Sequence, residues 1–343
     1  MTVNYSKIAS DLLKGLSERT ADIVQRRFGL KTGEGETLEA IGQSYDITRE
    51  RVRQIEEEGL SKCRKKLEKY NDVLDYFFSA LKTFGDVKKE DALFLSLGGE
   101  KYKNHAYFLM VLSGDFKKIQ DDEALHTFWT KDKNSAVFAK KAVNFIIGKF
   151  KEEKLLVNAD RLFSAYKSSL EKFLGKTVTK EAFASYLELS KDVQKNHEGK
   201  LGLRSWLEVN PRGIKDKAYL VFKKENKPLH FSDVASYIDG TFASLMKKKA
   251  HVATVHNELI KDGRFVLIGR GMYALKEWGY EPGIVKEIVA LVMKKENCPM
   301  TREEIAEKVL KQRLVKANTV FLNLLDKNLF LKDEQGKYII KEA

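Results

Sequence analysis

A short run of charged and amide side chains in the N-terminal part of the chain has the spacing of a helix face that could contact DNA bases. Arg49 lies one helical turn before Arg53, and Glu50 lies one turn before Gln54, so a helix places them in two short columns. In the major groove arginine can contact guanine, glutamate can accept from the cytosine amine, and glutamine can contact adenine. Arg51 flanks the columns and is suited to a phosphate, as is the helix N-terminus. The run predicts base reading, and the alternative is a solvated charged face.

The sequence around this run has the features of a helix-turn-helix. Thr37 and Thr48 are each suited to cap a helix, and residues 46–47 form a short turn between the two helices. Gly42 has no side chain at the place where the second helix must cross closely. Each helix also has an apolar inner stripe at helical spacing, formed by Leu38, Ile41 and Tyr45 in the first and by Val52, Ile55 and Leu60 in the second.

This segment strongly resembles region 4 of bacterial sigma factors of the sigma-70 family, over roughly residues 17–66. The resemblance is carried by three strings, which are RRFGL at 26–30, TLEAIG at 37–42 and ITRERVRQIE at 47–56. It implies a domain that reads the −35 promoter element with the helix after Thr48 and docks on the β flap of RNA polymerase. Carried over by position, it implies base contacts by Arg49, Glu50, Arg53 and Gln54, a base or backbone contact by Arg51, and inclusion of Thr37 and Thr48 among the DNA-binding residues.

One feature departs from the sigma pattern. Sigma factors open DNA with a separate upstream helical region, and only 36 residues precede Thr37 in this sequence. That leaves no room for the region that binds the −10 element. We therefore expect a promoter-binding regulator or a polymerase accessory protein rather than a self-sufficient initiation factor.

Internal repetition indicates how the rest of the chain is organised. The segment KKENKPL at 223–229 recurs as KKENCPM at 294–300, displaced by 71 residues, and each copy lies between two helical patterns. Trp129, Trp206 and Trp278 follow a similar rhythm, with each closing a short strand-like segment. A unit of about 70 residues with three helices and a hairpin is what a winged helix needs. A helical repeat array without DNA chemistry is the alternative.

The predicted fold class is therefore mainly α with small β-hairpin wings, in which an N-terminal helix-turn-helix is followed by tandem winged-helix domains. Hairpins are expected at 263–268 with 271–275, and at 330–332 with 337–340. The predicted domains are a helical arm at 1–16, the sigma-like helix-turn-helix at 17–70, and four winged-helix units at 71–133, 134–210, 211–280 and 281–343.

Residues 211–280 resemble the HARE-type helix-turn-helix, a winged-helix family found in bacterial regulators, restriction-related proteins, chromatin proteins and the delta subunit of some RNA polymerases. The matching strings are PLHFSDVA at 228–235, ELIKDGRFV at 258–266 and GRGMYALKEW at 269–278. The alternative for this unit is a winged helix that binds protein.

The residues of this unit predict a second DNA-contacting surface. An amphipathic helix over 251–260 is expected to turn Val252, Val255 and Leu259 inward and Thr254, Asn257 and Lys261 toward solvent. Gly269 and Gly271 are expected to permit a tight turn with Arg270 at its tip, suited to a narrow groove or a phosphate. The run of lysines at Lys247, Lys248 and Lys249 is expected to add salt-dependent binding.

Composition and missing motifs narrow the function classes. The 343 residues carry 62 basic and 49 acidic side chains, and the excess of +13 favours a polyanionic partner. The longest apolar stretch, 106–112, is far shorter than the ~20 residues that span a bilayer, and Cys63 and Cys298 have no metal-site spacing. No phosphate loop, nucleophile elbow or metalloprotease motif occurs. We expect no enzyme activity, no cofactor or metal, no membrane association, no small-molecule ligand, and a cytoplasmic, nucleoid-associated location.

Three functions remain after these exclusions. The first is a bacterial transcription regulator or sigma-like factor that binds double-stranded promoter DNA and RNA polymerase. The second is a polymerase-associated scaffold or delta-like accessory protein that acts mainly through protein contacts. The third is a DNA-modifying enzyme that uses these modules for targeting, although no catalytic motif supports it.

Overall fold

Helices form most of the chain, because only four prolines interrupt it and apolar residues recur at helical spacing. The computed structural model describes residues 3–341, so the first two residues of the predicted arm and the last two of the predicted C-terminal unit lie outside the described residues. The chain divides into two compact units, Met1–Ser205 and Trp206–Ala343. The predicted fold class is confirmed, whereas the finer division into six domains stays a prediction.

The first unit begins with four helices. They are α1 (Tyr5–Leu13), α2 (Glu18–Phe28), α3 (Leu38–Tyr45) and α4 (Arg49–Leu67). Ile23, Ile41 and Val52 are fully buried at the centre of a small cluster that joins α2, α3 and the start of α4. This cluster holds the helix-turn-helix together, as the apolar stripes of the sequence predict.

A second group of elements follows after a 3₁₀ turn at Glu68–Tyr70. It consists of α5 (Asn71–Thr83), β1 (Val87–Lys89), α6 (Glu90–Ser113), β2 (Lys117–Ile119) and β3 (Phe128–Thr130). Helix α6 is kinked at Gly99, which has φ 58°. The three strands form an antiparallel sheet in the order β1-β3-β2.

One hydrophobic core joins these two groups of elements. It contains Tyr5, Leu12, Val24, Phe28 and Cys63 from the first group, and residues such as Phe77, Phe94, Phe108 and Trp129 from the second. Residues on both sides of the predicted boundary after residue 70 are therefore buried against each other.

The first unit ends with a third group of elements. These are α7 (Lys133–Glu153), α8 (Ala159–Leu174), α9 (Lys180–Leu189), β4 (Val193–Lys195) and β5 (Leu201–Leu203). Val157 forms a bridge to Leu201, so a short first strand pairs with the last strand here too.

The second unit contains two groups of three helices and a hairpin, and in the second group an isolated bridge at Met300 takes the place of the short strand that follows the first helix. The first has α10 (Gly213–Glu225), β6 (Leu229–His230), α11 (Phe231–Phe242), α12 (Val252–Lys261), β7 (Phe265–Gly269) and β8 (Met272–Leu275). The second has α13 (Val285–Glu296), α14 (Arg302–Leu310), α15 (Ala317–Asn323), β9 (Phe330–Lys332) and β10 (Tyr338–Ile340). Both predicted hairpins, β7-β8 and β9-β10, are present.

The sequence repeat corresponds to one backbone feature. Asn226 and Asn297 end α10 and α13 in the left-handed region, at φ 49° and 50°, and their amides donate to the carbonyls of Phe222 and Met293. Three residues later, Leu229 pairs with Tyr273, and Met300 pairs with Tyr338. The repeated asparagine therefore turns the chain from the first helix into the first strand of each group.

No helix within residues 3–341 has both the length and the apolar character needed to cross a membrane.

Candidate nucleic-acid interface

The start of α4 is fixed by the caps and the turn that the sequence predicts. The Thr37 hydroxyl accepts from the Ala40 amide at 3.1 Å, and the Thr48 hydroxyl accepts from the Arg51 amide at 3.2 Å. Between the helices Asp46 adopts φ 52°. A Cβ on Gly42 would lie 2.7 Å from the Ile47 carbonyl oxygen, so glycine is needed where the turn crosses α3.

The outer face of α4 is open to solvent. The predicted DNA-binding residues of this segment are all exposed, and they are Thr37, Thr48, Arg49, Glu50, Arg51, Arg53 and Gln54. On the opposite face Val52 is fully buried and Ile55 packs against the same cluster. The local fold therefore presents the polar side chains together, and their contacts with bases stay predictions.

The exposed side chains of α4 form hydrogen bonds between the two expected columns, as well as to side chains outside them. The Arg53 guanidinium donates to Glu50 at 2.8 and 3.1 Å and to Glu57 at 3.0 Å. Arg51 donates to the Gln54 side-chain oxygen at 3.1 Å. The hydrogen bond from Arg53 lowers the pKa of Glu50, so this carboxylate stays ionised at neutral pH. Arg53 must exchange a carboxylate for a base in order to read DNA.

The exposed face of α4 has a formal charge close to zero. Residues 49–58 contain three arginines and four glutamates, which leaves a formal charge of −1. Burial raises the pKa of Glu56, while Arg27, with its Nε 3.6 Å from the carboxylate, opposes that shift. This part of α4 therefore offers directional hydrogen-bonding groups but no net positive charge that would attract phosphates.

A bidentate ion pair between Arg26 and Glu36 joins α2 to the segment that leads into the helix-turn-helix. The Arg26 guanidinium donates to Glu36 at 2.9 and 2.7 Å and to the Ser44 hydroxyl at 2.7 Å. Arg27 donates to the Glu36 carbonyl at 3.1 Å. The segment before α3 is thus anchored to α2. The sequence patterns did not predict this role of Glu36. The one feature that could have indicated it is its position directly before the Thr37 cap.

Polar contacts also tie the helix-turn-helix to α6. The Asn104 side-chain amide donates to the carbonyls of Gly29 and Gly33 at 3.2 and 2.8 Å. Arg64, in the last turns of α4, donates to the Leu112 carbonyl at 2.8 Å. Contacts between residues so far apart in the chain leave no local signal, so sequence periodicity did not predict them.

The helix that precedes the last hairpin of each group is buried to a different extent from group to group. These helices are α6, α9, α12 and α15. Residues 106–112 of α6 are largely buried, and α6 packs against α1, α2 and α4. Helix α9 is buried along most of its length and packs against β1. By contrast, α12 and α15 each keep an exposed face. Leu322 on α15 is 68% exposed, and Leu325, two residues after the end of this helix, is 65% exposed. Only α12 combines this accessibility with the predicted polar face.

The predicted residues of the 211–280 group are accessible. Thr254, Asn257 and Lys261 are exposed at helical spacing on α12, and Lys247, Lys248 and Lys249 are exposed in the segment before it. Arg270 is exposed between β7 and β8. These placements agree with the expected surface, although its contacts with DNA stay predictions.

One inward residue of α12 was predicted wrongly. Val252 is 42% exposed, whereas Val255 and Leu259 are buried as expected. The reason is that Val252 is the first residue of the helix, and the core position next to it is taken by Ala250. The Ala250 amide donates to the Asp239 carboxylate at 2.6 Å, which fixes this arrangement.

The two glycines of the β7-β8 hairpin have different roles. Gly271 has φ 69°, which suits the turn as predicted. Gly269 does not have a positive φ; a Cβ there would lie 2.8 Å from the Leu314 carbonyl oxygen. The Leu314 amide also donates to the Ile268 carbonyl at 2.7 Å. Gly269 is thus required for close packing of the hairpin against the segment before α15.

Comparison with known proteins identifies the first part of the chain. Residues 12–65 match the family model described as "Sigma-70, region 4". The chain is similar to "RNA polymerase sigma factor RpoD" of Neisseria gonorrhoeae, with 38% identity over 64 residues. This match covers 19% of the chain and spans only 10% of the relative's length. Residues 12–65, with their capped and exposed α4, are therefore a sigma-70 region 4 domain within a longer chain.

Proposed function

We propose that the protein is a bacterial transcription regulator or sigma-like factor that reads promoter DNA, at a −35-type element, with the exposed face of α4. The observation that carries this proposal is the capped and solvent-accessible row of Arg49, Glu50, Arg53 and Gln54 within a region 4 domain. The activity is binding rather than turnover. Location in the cytoplasm, on the nucleoid, belongs to the same proposal.

The 211–280 group is proposed to supply attraction to the DNA backbone. It has 13 basic and seven acidic side chains, a formal charge of +6, compared with +2 for residues 1–70. Lys247, Lys248, Lys249, Lys261 and Arg270 are exposed, and the element order is that of a winged helix. The resemblance to the HARE-type family supports this assignment. Selectivity would come from α4, and salt-dependent affinity from this group.

RNA polymerase is the proposed protein partner. The similar Neisseria protein is by name an RNA polymerase sigma factor. By the resemblance of region 4, the surface on the polymerase would be the β flap.

A second candidate function is a polymerase-associated scaffold or delta-like accessory protein. It is favoured by the corresponding helices of the other groups. Residues 106–112 of α6 and most of α9 are buried, and α15 with the turn after it exposes Leu322 and Leu325 rather than base-reading side chains. Such faces suit protein contacts. In this alternative the duplex would be a minor partner.

In vitro selection from a random DNA library tests the first function. The full chain should enrich one sequence class and bind it at physiological salt at least about 10³-fold more tightly than random duplex. The Arg49→Ala variant should enrich a more degenerate class. Failure to enrich any sequence, together with capture of purified core RNA polymerase, would instead establish the scaffold.

A salt titration tests the division of labour between the two DNA surfaces. The chain with Lys247, Lys248 and Lys249 all replaced by alanine should lose affinity for selected and random duplexes alike. Its dependence of log affinity on log salt should become shallower, by about 1 for each lysine that contacts a phosphate. An unchanged slope would remove these lysines from the interface.

A further inference from the structure

A row of aromatic and lysine side chains lies along α7, in the third group of the first unit. Two phenyl rings alternate with two lysines at steps of three or four residues, which places them on one face of the helix. They are Phe138, Lys141, Phe145 and Lys149. The two rings are half-buried and Lys141 is exposed. The row is about 16 Å long, from a helical rise of ~1.5 Å per residue.

The last turn of α8 adds a third ring beside this row. Phe173 is 55% exposed, and its ring centroid lies 5.3 Å from that of Phe145, with 30° between the ring planes. The Lys176 ammonium lies 4.8 Å from the centre of the Phe138 ring, and the Lys149 ammonium lies 5.8 Å from that of Phe145. We call these three rings and their lysines, with Lys141 among them, the α7–α8 surface.

The charge of the α7–α8 surface is positive. No carboxylate among the described residues forms an ion pair with Lys141 or Lys176, whereas Lys149 pairs with Glu152 at 2.6 Å. Residues 131–210 as a whole have 16 basic and 10 acidic side chains, a formal charge of +6. Two ammonium groups next to the rings are therefore available to an anionic partner.

Exposed aromatic rings between unpaired lysines match the chemistry of a single-stranded nucleic acid. In a duplex the faces of the bases are covered by their neighbours in the stack, so a phenyl ring outside the duplex has no base face to contact. In a single strand these faces are free to stack on aromatic side chains, while lysines contact the phosphates. Phe173 is placed for the first contact, and Lys141 and Lys176 are placed for the second.

We propose that the α7–α8 surface binds single-stranded DNA. A base stacks on the exposed ring of Phe173, and neighbouring phosphates contact Lys141 and Lys176. The choice of DNA over RNA rests on the proposed function, because promoter DNA becomes single-stranded where it is opened. Unlike α4, which would contact the edges of paired bases, this surface contacts the faces of unpaired ones.

Fluorescence anisotropy with the full chain and a labelled oligodeoxyuridylate of about eight nucleotides, within the ~4–16 typical of single-strand sites, tests the stacking contact. Phe173→Ala should weaken binding at least about fivefold, the lower end for the loss of one base stacked on a ring, and should leave binding to a selected duplex unchanged. Leu155→Ala is the matched control, because Leu155 is 59% exposed after the end of α7. It should bind as the parent does.

Phe173→Leu separates stacking from apolar contact. Leucine keeps an apolar side chain but has no ring, so this variant should bind the oligodeoxyuridylate as weakly as Phe173→Ala. Full affinity of Phe173→Leu would overturn the proposal and would assign the surface to an apolar segment of a protein. Unchanged affinity of Phe173→Ala, or an equal loss on the duplex, would overturn it as well.

A salt titration tests the phosphate contacts. Replacement of both Lys141 and Lys176 by alanine should make the dependence of log affinity on log salt shallower by about 0.7 for each lysine, the value for a phosphate on a single strand. An unchanged slope would overturn the proposal.

Two further arms identify the ligand and separate this proposal from the reading of duplex DNA. Oligouridylate differs from the probe only in its sugar, and tighter binding of this RNA would overturn the choice of DNA. Arg49→Ala should leave affinity for the oligodeoxyuridylate unchanged, since its effect is expected on the duplex alone. Failure of base reading by α4 and failure of the α7–α8 surface would thus be observed on different ligands. A loss on the single strand with Arg49→Ala as large as with Phe173→Ala would overturn the proposal.

Discussion

Arg49 and Arg53 lie one turn apart on the exposed face of α4, but their surroundings differ. Arg53 is held by Glu50 and Glu57, whereas no carboxylate within residues 3–341 forms an ion pair with Arg49. Arg49 can therefore contact a base without first giving up an internal partner. This difference makes Arg49 the cleaner residue for a test of base reading.

We expect Arg49→Ala to cost about 1–3 kcal/mol in binding to a selected DNA site and to relax the preference at one base pair. Binding to random duplex should change little. Lys62→Ala is the matched control, because Lys62 is exposed on the same helix and pairs with Glu58. Mobility-shift titrations on both duplexes measure the effect. An equal loss on both would show that Arg49 contacts only the backbone.

Glu36 gives a prediction about stability and pH. Its pKa is lowered because Arg26 donates to it, so the pair stabilises the folded state when the carboxyl is ionised. Glu36→Gln should lower the free energy of unfolding by about 1 kcal/mol or less, since the pair is partly exposed. The difference should be full above the ordinary glutamate pKa, about 4.3, and vanish as pH falls through the lowered pKa.

Denaturant unfolding of the parent and the Glu36→Gln variant at several pH values checks this expectation. Glu34→Gln is a suitable control, because Glu34 is exposed in the same loop and forms no ion pair with the described residues. A difference for Glu36→Gln that persists at low pH would mean that the lost contact is not electrostatic.

At the scale of single elements, the turn between α3 and α4 depends on Gly42. A methyl group there would lie 2.7 Å from the Ile47 carbonyl oxygen and 3.5 Å from the Arg49 amide nitrogen. Gly42→Ala should therefore destabilise the fold by about 1–3 kcal/mol and shift the start of α4. Thermal unfolding and affinity for a selected site should both show the loss.

A glycine elsewhere in the chain offers the matched control. Gly240 lies within α11, and an added methyl group would meet no atom within 4 Å apart from the adjacent backbone of its own helix. Gly240→Ala should raise stability by up to about 1 kcal/mol, since alanine favours helix. If both substitutions had the same sign, the close approach at Gly42 would not be what determines its effect.

At this scale, the correct predictions from the sequence concern local structure. The caps at Thr37 and Thr48, the turn at 46–47 and the β7-β8 and β9-β10 hairpins each depend on neighbouring residues, and each is present. The errors concern tertiary contacts. Val252 was placed inward because periodicity takes no account of Ala250, which fills that core position. Gly269 packs against a segment about 45 residues away, which no turn rule includes.

At the scale of the whole molecule, the region 4 domain shares its core with the group that follows it. Val24, Phe28 and Cys63 of the domain lie in the same cluster as Phe108 of α6, and Tyr5, just before the domain, donates to the Leu97 carbonyl at 2.7 Å. Composition and motif spacing indicate a boundary after residue 70 but contain no information about this packing. For that reason the sequence predicted the position of α4 but not the packing that supports it.

We expect a fragment of residues 1–70 to lack cooperative unfolding, because it would expose the apolar surface that α6 covers. A fragment of residues 1–132 should unfold cooperatively. Calorimetry and circular dichroism on the two fragments measure the difference. A fragment of residues 1–70 as stable as the longer one would show that the shared core adds nothing to the helix-turn-helix.

The shared core also bears on what happens when the protein is cut in the cell. Cleavage between α4 and α5 would leave an N-terminal fragment in which α4 no longer packs against α6, so α4 would lose its fold. If α4 binds DNA as proposed, a cleaved copy would release its DNA and would not compete with intact copies for it.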